Sequence, residues 1–313
     1  MNTDVAQEVF FLSQTGVGIM GNPLLNMLYF SSFLLGSKPN PTDLVIIHLA
    51  LVHTTMLLAR WITRTAEMLG LCLLQTNVEC KPFTYVYRST RGLSICTTSF
   101  LTMLQAITIS PITSYLFQLK AQIPNCILPV LAILWISNLL ITTNLLYQVG
   151  ASCNATSTES NCYAVPVRTL LQGLILILMP LCDTLSLGLM SFSSGYMVLL
   201  LHRHRHQVQD LHSMGQAPKT SPERRATETI VLLVSCFVVF YCGDFFLSLF
   251  LETSMKNNVT ILNINMFVVS GYATVSPFVL LTCDTRVIKF LSDFLGNNTP
   301  RSSQTMYLSV NPL

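Results

Sequence analysis

Apolar positions along this chain form seven long segments, separated by shorter polar connections. Each segment is long enough to cross the hydrocarbon core of a bilayer as a helix, which takes about 20 mainly apolar residues. Between them lie turn sequences, such as the Gly-Ser-Lys-Pro-Asn-Pro run at 36–41, because proline lacks a backbone donor and restricts the residue before it. The pattern predicts an all-α membrane protein, a bundle of seven transmembrane helices. The predicted spans cover residues 9–35, 43–66, 81–109, 126–148, 168–201, 226–251 and 261–283.

Composition supports a lipid-facing surface. Only 10% of the residues are charged and 51% are hydrophobic, whereas soluble domains carry about 25% charged residues. Mean hydropathy is +0.56. The formal net charge of +3 comes without a basic stripe along any span, so a nucleic-acid partner is not expected. The expected surroundings are therefore the lipid bilayer.

The distribution of lysine and arginine predicts the orientation of the bundle. Ten of these residues fall on the side that carries the connections at 36–42, 110–125 and 202–225 and the tail after 283. Three fall on the opposite side, once the four arginines within spans two and three are set aside. Basic residues concentrate on the cytoplasmic side of membrane proteins. The N-terminus is therefore predicted to lie outside the cell.

The region after the seventh span has a helical pattern of its own. Its apolar positions recur at helical spacing and its charged positions occupy the other face, which is typical of a helix lying on a membrane surface. The prediction is a seven-helix domain over 1–295 that ends in an inner-surface helix at about 284–295, followed by a short cytoplasmic tail over 296–313.

Four cysteines fall on the predicted outer side: Cys72, Cys80, Cys153 and Cys162. Cys80 begins the third span, and Cys162 lies late in the second outer loop. A disulfide between them would hold that loop over the mouth of the bundle, and this pairing is the prediction. Four cysteines allow three pairings, so Cys72 or Cys153 as the partner, or a free thiol, remains an alternative.

Two glycosylation sequons also fall on the predicted outer side. Asn154 lies in the second outer loop, within the same polar run from Ser152 to Asn161 that predicts a loop, and Asn258 lies in the third outer loop. Asn-X-Ser/Thr is the acceptor motif for N-glycosylation. Both asparagines are predicted to carry glycans.

The third span carries a polar stripe on an otherwise apolar helix. Arg88 and Arg91 are three residues apart and so share a face, which continues through Thr98, Thr102 and Gln105. A charge in mid-membrane costs several kcal/mol unless it is paired or hydrated. The stripe is therefore predicted to face the interior of the bundle, with both arginines in its outer half.

Two acidic residues within the spans are candidate ion-pair partners for these arginines: Asp183 in span five and Asp244 in span six. Two interpretations remain open. The four residues form structural ion pairs that fix how the helices pack, or they line a water-filled pocket and bind an anionic or polar ligand group. On the second interpretation Arg88, Arg91, Asp183 and Asp244 are the ligand-binding residues.

The remaining polar residues of the spans carry no recognisable catalytic chemistry. His48 and His53 are five apart on span two, a spacing that favours interior hydrogen-bonding groups over a metal pair. The chain has no Gly-rich phosphate loop, no HExxH and no GxSxG motif. The chain is therefore predicted not to be an enzyme, with no cofactor and no metal.

The third span also carries the clearest resemblance to a known family. Residues 88–98 (RSTRGLSICTT) and 104–111 (LQAITISP) resemble the vomeronasal type-1 receptors, a family of G-protein-coupled pheromone receptors. Support comes from 48–51 (HLAL) and 276–280 (SPFVL). The likeness covers roughly 10–295.

The same chain departs from rhodopsin-like receptors, to which it is only distantly similar. Ile109-Ser110-Pro111 stands where they carry an acidic-arginine-aromatic triplet, and His53 stands where they carry a sodium-binding aspartate. An activation scheme borrowed from rhodopsin is therefore not expected to apply.

The resemblance implies a multi-pass receptor at the plasma membrane of a sensory neuron. It would detect a small-molecule chemosignal from outside and couple to an inhibitory-class heterotrimeric G protein. A bitter-taste-type or other seven-helix receptor is one alternative, and a seven-span transporter or channel is another. The residues expected to contact the G protein are Pro111, Lys120, Arg203, Arg205, Arg224 and Arg225; alternatively, the cations among them only set the topology.

Overall fold

The computed structural model describes residues 2–36, 40–68, 77–111, 119–143, 149–152, 161–164, 170–212, 235–244, 246–247 and 259–283. Helices account for nearly all of these residues. They are α1 (Asn2–Leu34), α2 (Pro41–Met68), α3 (Asn77–Ile109), α4 (Ile123–Thr143), α5 (Leu170–His212), α6 (Ser235–Asp244) and α7 (Val259–Cys283).

Each of these helices lies in a region where the sequence predicts a span, although the ends differ. Helix α1 begins at Asn2, ahead of the predicted span, and α5 continues to His212, beyond residue 201. The residues after 201 include neither proline nor glycine before Gly215, so nothing in the backbone chemistry stops the helix at the membrane edge. The predicted surface helix at 284–295 and the tail at 296–313 lie outside the described residues.

Local signals explain where the first connection falls. Helix α1 ends at Leu34, and Gly36 follows in the left-handed region with a φ of 90°, which glycine adopts without a steric penalty. Helix α2 begins with Pro41 in its first turn, where the missing donor costs nothing. The Asp43 carboxylate accepts a 2.7 Å hydrogen bond from the Asn40 backbone N–H, which caps the new helix.

Three of the helices are long and apolar enough to cross a membrane within the part of the chain that the structure describes. They are Pro41–Ala66, Pro82–Ile109 and Ile123–Thr143. Two shorter apolar helical stretches, Ser235–Asp244 and Phe267–Leu281, are also present. The structure thus describes a helical protein with at least three segments that are long and apolar enough to span a membrane.

Helix α3 lies at the centre of the bundle. It packs against α2, α4 and α5, while α1 packs against α2 and α7. In the apolar stretch of α3, 67% of the residues are buried inside the protein, against 17% in that of α4. Helix α4 therefore presents most of its surface outward, and most serines and threonines of α3 lie inside.

Small and polar residues allow the close helix contacts. A Cβ atom added at Gly92 of α3 would overlap the Asn138 side chain of α4, so a larger residue here would have to displace that side chain. On the other side of the bundle, the buried Asn22 amide of α1 donates to the Ala273 carbonyl of α7 at 3.0 Å. These contacts hold α4 and α7 in place around the central helices.

Apolar side chains fill the interior and also cover the exterior. The main core cluster includes Leu25, Leu49, Leu101, Phe237 and Tyr272. The outward faces still expose large apolar side chains, which in a soluble protein would form sites of association. A lipid bilayer removes that penalty, because its hydrocarbon is itself apolar.

One short hairpin interrupts the helical architecture between α4 and α5. Strands β1 (Val149–Ser152) and β2 (Asn161–Ala164) pair antiparallel, with Ala151 opposite Cys162. Strand β1 lies against α3. The hairpin modifies the all-α prediction locally, since these four-residue strands are too short to show an alternating pattern. The residues predicted as a loop between them, 153–160, lie outside the described residues.

Candidate functional site

Three charged side chains meet inside the bundle. Arg91 of α3 donates from Nε to Asp244 Oδ2 of α6 at 3.0 Å, and its Nη2 donates to the same oxygen. Arg91 Nη1 lies 3.7 Å from Asp183 Oδ2 of α5. We call Arg91, Asp183 and Asp244 the ion cluster. It joins three helices through one guanidinium.

The ion cluster is shielded from the surroundings. The Asp244 side chain is 4% exposed, that of Arg91 is 15% exposed and that of Asp183 is 21% exposed. Buried charges are tolerated when they are paired and hydrogen-bonded. The Arg91 fork fits this requirement, since it presents several donors in one plane to two carboxylates.

Arg88 differs from Arg91 although both lie on the predicted stripe. Its side chain is exposed, and among the residues that the structure describes no carboxylate lies within ion-pair distance of it. A third arginine, Arg60 of α2, makes a cation–π contact, with its guanidinium 4.3 Å from the centroid of the Tyr87 ring. The predicted pair of arginines therefore divides into one that is paired internally and one that is accessible.

A chain of hydrogen bonds links the helices one turn further along α3. His53 of α2 is fully buried, and its Nε2 lies 2.7 Å from Ser94 Oγ of α3 while its Nδ1 lies 3.0 Å from Ser276 Oγ of α7. Ser94 Oγ in turn lies 2.8 Å from the Tyr241 hydroxyl of α6. We call His53, Ser94, Tyr241 and Ser276 the polar relay.

Aromatic rings pack against the polar relay. The Tyr272 hydroxyl of α7 lies 3.0 Å from Thr98 Oγ1 of α3. Its ring contacts those of His53, Phe237 and Tyr241, with centroid distances of 5.0, 4.4 and 4.6 Å. Such aromatic pairs add stability beyond their buried area, so the packed rings around Tyr272 stabilise the arrangement of the relay.

The ion cluster and the polar relay are directly connected. Arg91 and Ser94 are three apart on α3, and Tyr241 and Asp244 are three apart on α6, so each pair shares a face of its helix. A cavity of about 10 Å³ lies between these residues and α7, which is about the space that one water molecule needs. The packed arrangement leaves no room here for a larger molecule without movement of the helices.

Comparison with known proteins decides the family. The family model described as "Vomeronasal organ pheromone receptor family" matches residues 5–293. The chain is 35% identical over 301 residues to the rat protein "Vomeronasal type-1 receptor 100", covering 93% of this chain and 90% of that protein. The rat protein "Vomeronasal type-1 receptor 90" is 37% identical over 93% of this chain and 95% of its own length. The mouse protein "Vomeronasal type-1 receptor 42" is 36% identical over 90% and 86%.

The chain belongs to the vomeronasal type-1 receptor family. This confirms the resemblance seen in the third span and decides against a bitter-taste-type receptor. The members of this family are receptors, so the chain is a G-protein-coupled receptor of the pheromone-receptor type and not an enzyme.

The sequence predicted part of this vomeronasal receptor's polar interior. The prediction that His48 and His53 are interior hydrogen-bonding groups is confirmed for His53, which is buried and bonds two serines. His48 is half-buried, and its Nε2 accepts a 2.8 Å hydrogen bond from Trp135 Nε1. The sequence reasoning missed Tyr241, Tyr272 and Ser276. A usable signal exists for Tyr241, which lies one turn before Asp244 on the same face of α6.

The end of α3 that departs from rhodopsin-like receptors is held by two hydroxyl groups and one lysine. Ser110 Oγ donates to the Ala106 carbonyl at 2.8 Å and lies 3.1 Å from the Tyr196 hydroxyl of α5. Pro111, Lys120 and Arg203 are exposed, and Lys120 Nζ donates to the Thr108 carbonyl at 3.4 Å. The Arg205 side chain, Arg224 and Arg225 lie outside the described residues.

At the other end of the receptor, only the backbone positions of the two predicted disulfide cysteines are described. Cys80 lies in the first turn of α3, and Cys162 lies on β2 opposite Ala151. The side chains of both cysteines lie outside the described residues, as do Asn154 and Asn258.

Proposed function

We propose that this vomeronasal receptor detects a small chemosignal at the outer face of the plasma membrane and activates an inhibitory-class G protein at the inner face. The observation that carries the proposal is the ion cluster, in which Arg91 ties α5 and α6 to the central helix. A ligand group that competes for either carboxylate would bind one helix packing better than another. Such preferential binding shifts the population of a receptor between its states.

Arg88 supplies the first contact in this proposal. It is exposed, and it lies on α3 one turn closer to Cys80 than Arg91 does. An arginine inside a membrane span needs water, an anion or a polar group near it. We therefore assign Arg88 to an anionic or polar group of the chemosignal, and Arg91, Asp183 and Asp244 to the rearrangement that follows.

The proposal places seven membrane-crossing helices with the N-terminus outside. Support comes from the apolar outward faces of the described helices and from the excess of lysine and arginine on one side of the sequence. In this orientation Asn154 and Asn258 are available for glycosylation. The proposed contacts with the G protein are Pro111, Lys120, Arg203, Arg205, Arg224 and Arg225.

The function is tested by nucleotide exchange on purified G proteins. Membranes containing the full receptor are exposed to a panel of volatile and other small organic molecules, and GTPγS binding is measured on inhibitory-class and stimulatory-class heterotrimers. We expect at least one compound to accelerate exchange on the inhibitory class selectively. Exchange on the stimulatory class alone, or compound transport without exchange, would contradict the proposal.

With an active compound in hand, Arg88→Gln is expected to weaken its potency by about tenfold, because a hydrogen bond to a charged group is lost. The matched control is Arg60→Gln, whose guanidinium lies over the Tyr87 ring; its potency is expected to change less than about threefold. Surface abundance of both variants is measured by antibody labelling of an N-terminal tag. An Arg88→Gln receptor with normal potency would remove Arg88 from the ligand site.

The proposed Cys80–Cys162 disulfide is supported by the packing of β1 against α3 and by the pairing of β1 with β2. Mass spectrometry of peptides from the non-reduced receptor is expected to find these two cysteines joined. Cys162→Ser is expected to lower the free energy of unfolding by about 2–4 kcal/mol, whereas Cys153→Ser leaves it unchanged. Cys80 found free, or joined to Cys72 or Cys153, would contradict the prediction.

A further inference from the structure

A second cavity lies between α1, α2 and α7, at the end of the bundle where the chain begins. Its volume is about 230 Å³. The apolar part of its wall consists of Phe10, Phe11, Ile264 and Phe267, and the polar part includes Glu8 and Arg64. This cavity shares no lining residue with the small cavity beside the ion cluster. We call it the α1–α2–α7 pocket.

The apolar wall of the pocket is preformed. The rings of Phe10 and Phe267 stack with centroids 5.3 Å apart and an interplanar angle of 18°, and Phe11 is buried beside them. Small-molecule pockets are usually lined in this way, with apolar and aromatic side chains and a few polar groups that fix orientation. The wall therefore suits a hydrocarbon group.

The polar wall offers one unused acceptor. Glu8 Oε1 accepts a 2.6 Å hydrogen bond from Arg64 Nη2. The other carboxylate oxygen, Oε2, is shielded from solvent, and no donor among the described residues lies within hydrogen-bond distance of it. A buried acceptor without a partner is costly, and a ligand hydroxyl that donates to it would recover that cost. Because Arg64 already balances the Glu8 charge, the fitting ligand is neutral.

We propose that the α1–α2–α7 pocket binds a neutral, amphiphilic small molecule of the size and chemistry of a medium-chain alcohol. The ligand hydroxyl donates to Glu8 Oε2, and the ligand hydrocarbon lies against Phe10, Ile264 and Phe267. The volume of about 230 Å³ is below the range of about 300–1,000 Å³ that drug-sized ligands fill, which favours a volatile-sized molecule. Only the access route from outside rests on the orientation proposed above.

The test uses the full receptor in nanodiscs of phosphatidylcholine, a lipid whose headgroup has no hydrogen-bond donor. An octanol that carries a photoreactive diazirine is crosslinked, and the labelled residues are mapped by mass spectrometry. We expect labelling of α1 and α7 at the pocket wall. Unlabelled 1-octanol should compete about tenfold better than its isomer heptyl methyl ether, which has an oxygen but no donor.

Three variants separate binding in the pocket from general partitioning into lipid. Ile264→Trp fills the pocket and is expected to abolish the label, whereas Ile133→Trp on the exposed face of α4 is expected to leave it unchanged. Glu8→Gln is expected to remove the advantage of 1-octanol over the ether, because the amide oxygen accepts from Arg64 and the amide NH2, a donor, takes the place of Oε2. Circular dichroism and melting temperature establish that each variant is folded.

The outcomes that overturn the inference are specific. Labelling spread over all lipid-facing helices, equal competition by alcohol and ether, or a label that survives Ile264→Trp would each show a lipid-exposed groove and not a binding site. Because the readout needs neither a chemosignal nor a G protein, failure of the nucleotide-exchange experiment leaves this result intact. Failure of the labelling experiment likewise leaves the proposed signalling role standing.

Discussion

Replacing Arg91 by alanine is expected to lower the free energy of unfolding by about 3–5 kcal/mol, because removal of one partner leaves a buried charge without compensation. Asp244 is the residue most affected, since its side chain is 4% exposed and two Arg91 nitrogens donate to one of its oxygens. The measurements are the melting temperature of the purified receptor and the fraction of receptor that reaches the cell surface.

Arg88→Ala is the matched control, because it removes the same side chain one turn away on the same helix. Since Arg88 is exposed and has no carboxylate at ion-pair distance in the described part of the chain, its loss is expected to cost less than about 1 kcal/mol. If the two variants melt at the same temperature, the ion cluster does not hold the bundle together.

A neutral triple variant separates stability from signalling. Arg91→Leu combined with Asp183→Asn and Asp244→Leu removes every charge of the ion cluster, and replacement of buried ion pairs by apolar groups is often neutral or stabilising. We expect this variant to recover most of the stability that Arg91→Ala loses. If the ion cluster is also the element that the chemosignal shifts, the triple variant reaches the surface and fails to respond.

The helices and the chemistry of the ion cluster could be predicted from the sequence for two reasons. Helices follow from local apolar runs, and the ion pairs follow from the small number of charged residues within the spans. Apolar runs of membrane length specify helices regardless of their neighbours. Charges are so rare in the middle of the spans that the two arginines of span three have few acidic partners beyond Asp183 and Asp244. In the structure, Arg91 accordingly forms ion pairs with the predicted acidic residues of spans five and six.

The spacing of the sequence could not predict which of the two arginines forms the ion pairs with Asp183 and Asp244. Residues three apart on a helix differ by roughly 60° around its axis, so Arg88 and Arg91 count as one face in a sequence pattern. The packed bundle separates them, because α5 and α6 approach α3 at Arg91 and leave Arg88 exposed. The α1–α2–α7 pocket was unpredictable for a similar reason, since Phe10 and Phe267 lie at opposite ends of the chain.

The hydrogen bonds of the polar relay could not be predicted from the sequence either. Serine, threonine and tyrosine are common in membrane helices, and nothing in the sequence says which hydroxyls meet. The geometry alone shows that Ser94 lies between His53 and Tyr241 and that Ser276 takes the other ring nitrogen of His53. This arrangement makes His53 the only described side chain that hydrogen-bonds α2 to both α3 and α7.

His53→Ala is therefore expected to lower the free energy of unfolding by about 2–5 kcal/mol, measured by thermal unfolding of the purified receptor. A buried ring replaced by alanine leaves a cavity. It also removes one hydrogen bond from each of two buried hydroxyl groups, because a neutral imidazole serves one as donor and the other as acceptor. Ser94 and Ser276 lose their shared partner at the same time.

The matched control is His48→Ala on the same helix, which removes an identical side chain that is only partly buried and hydrogen-bonded to Trp135. Its cost is expected to be about 1 kcal/mol. Tyr241→Phe removes a single hydroxyl from the relay and is expected to cost about 1 kcal/mol as well. If His53→Ala melts at the same temperature as His48→Ala and Tyr241→Phe, the prediction is wrong. Apolar packing alone would then hold α2, α3 and α7 together, and the hydrogen bonds of His53 would add no stability.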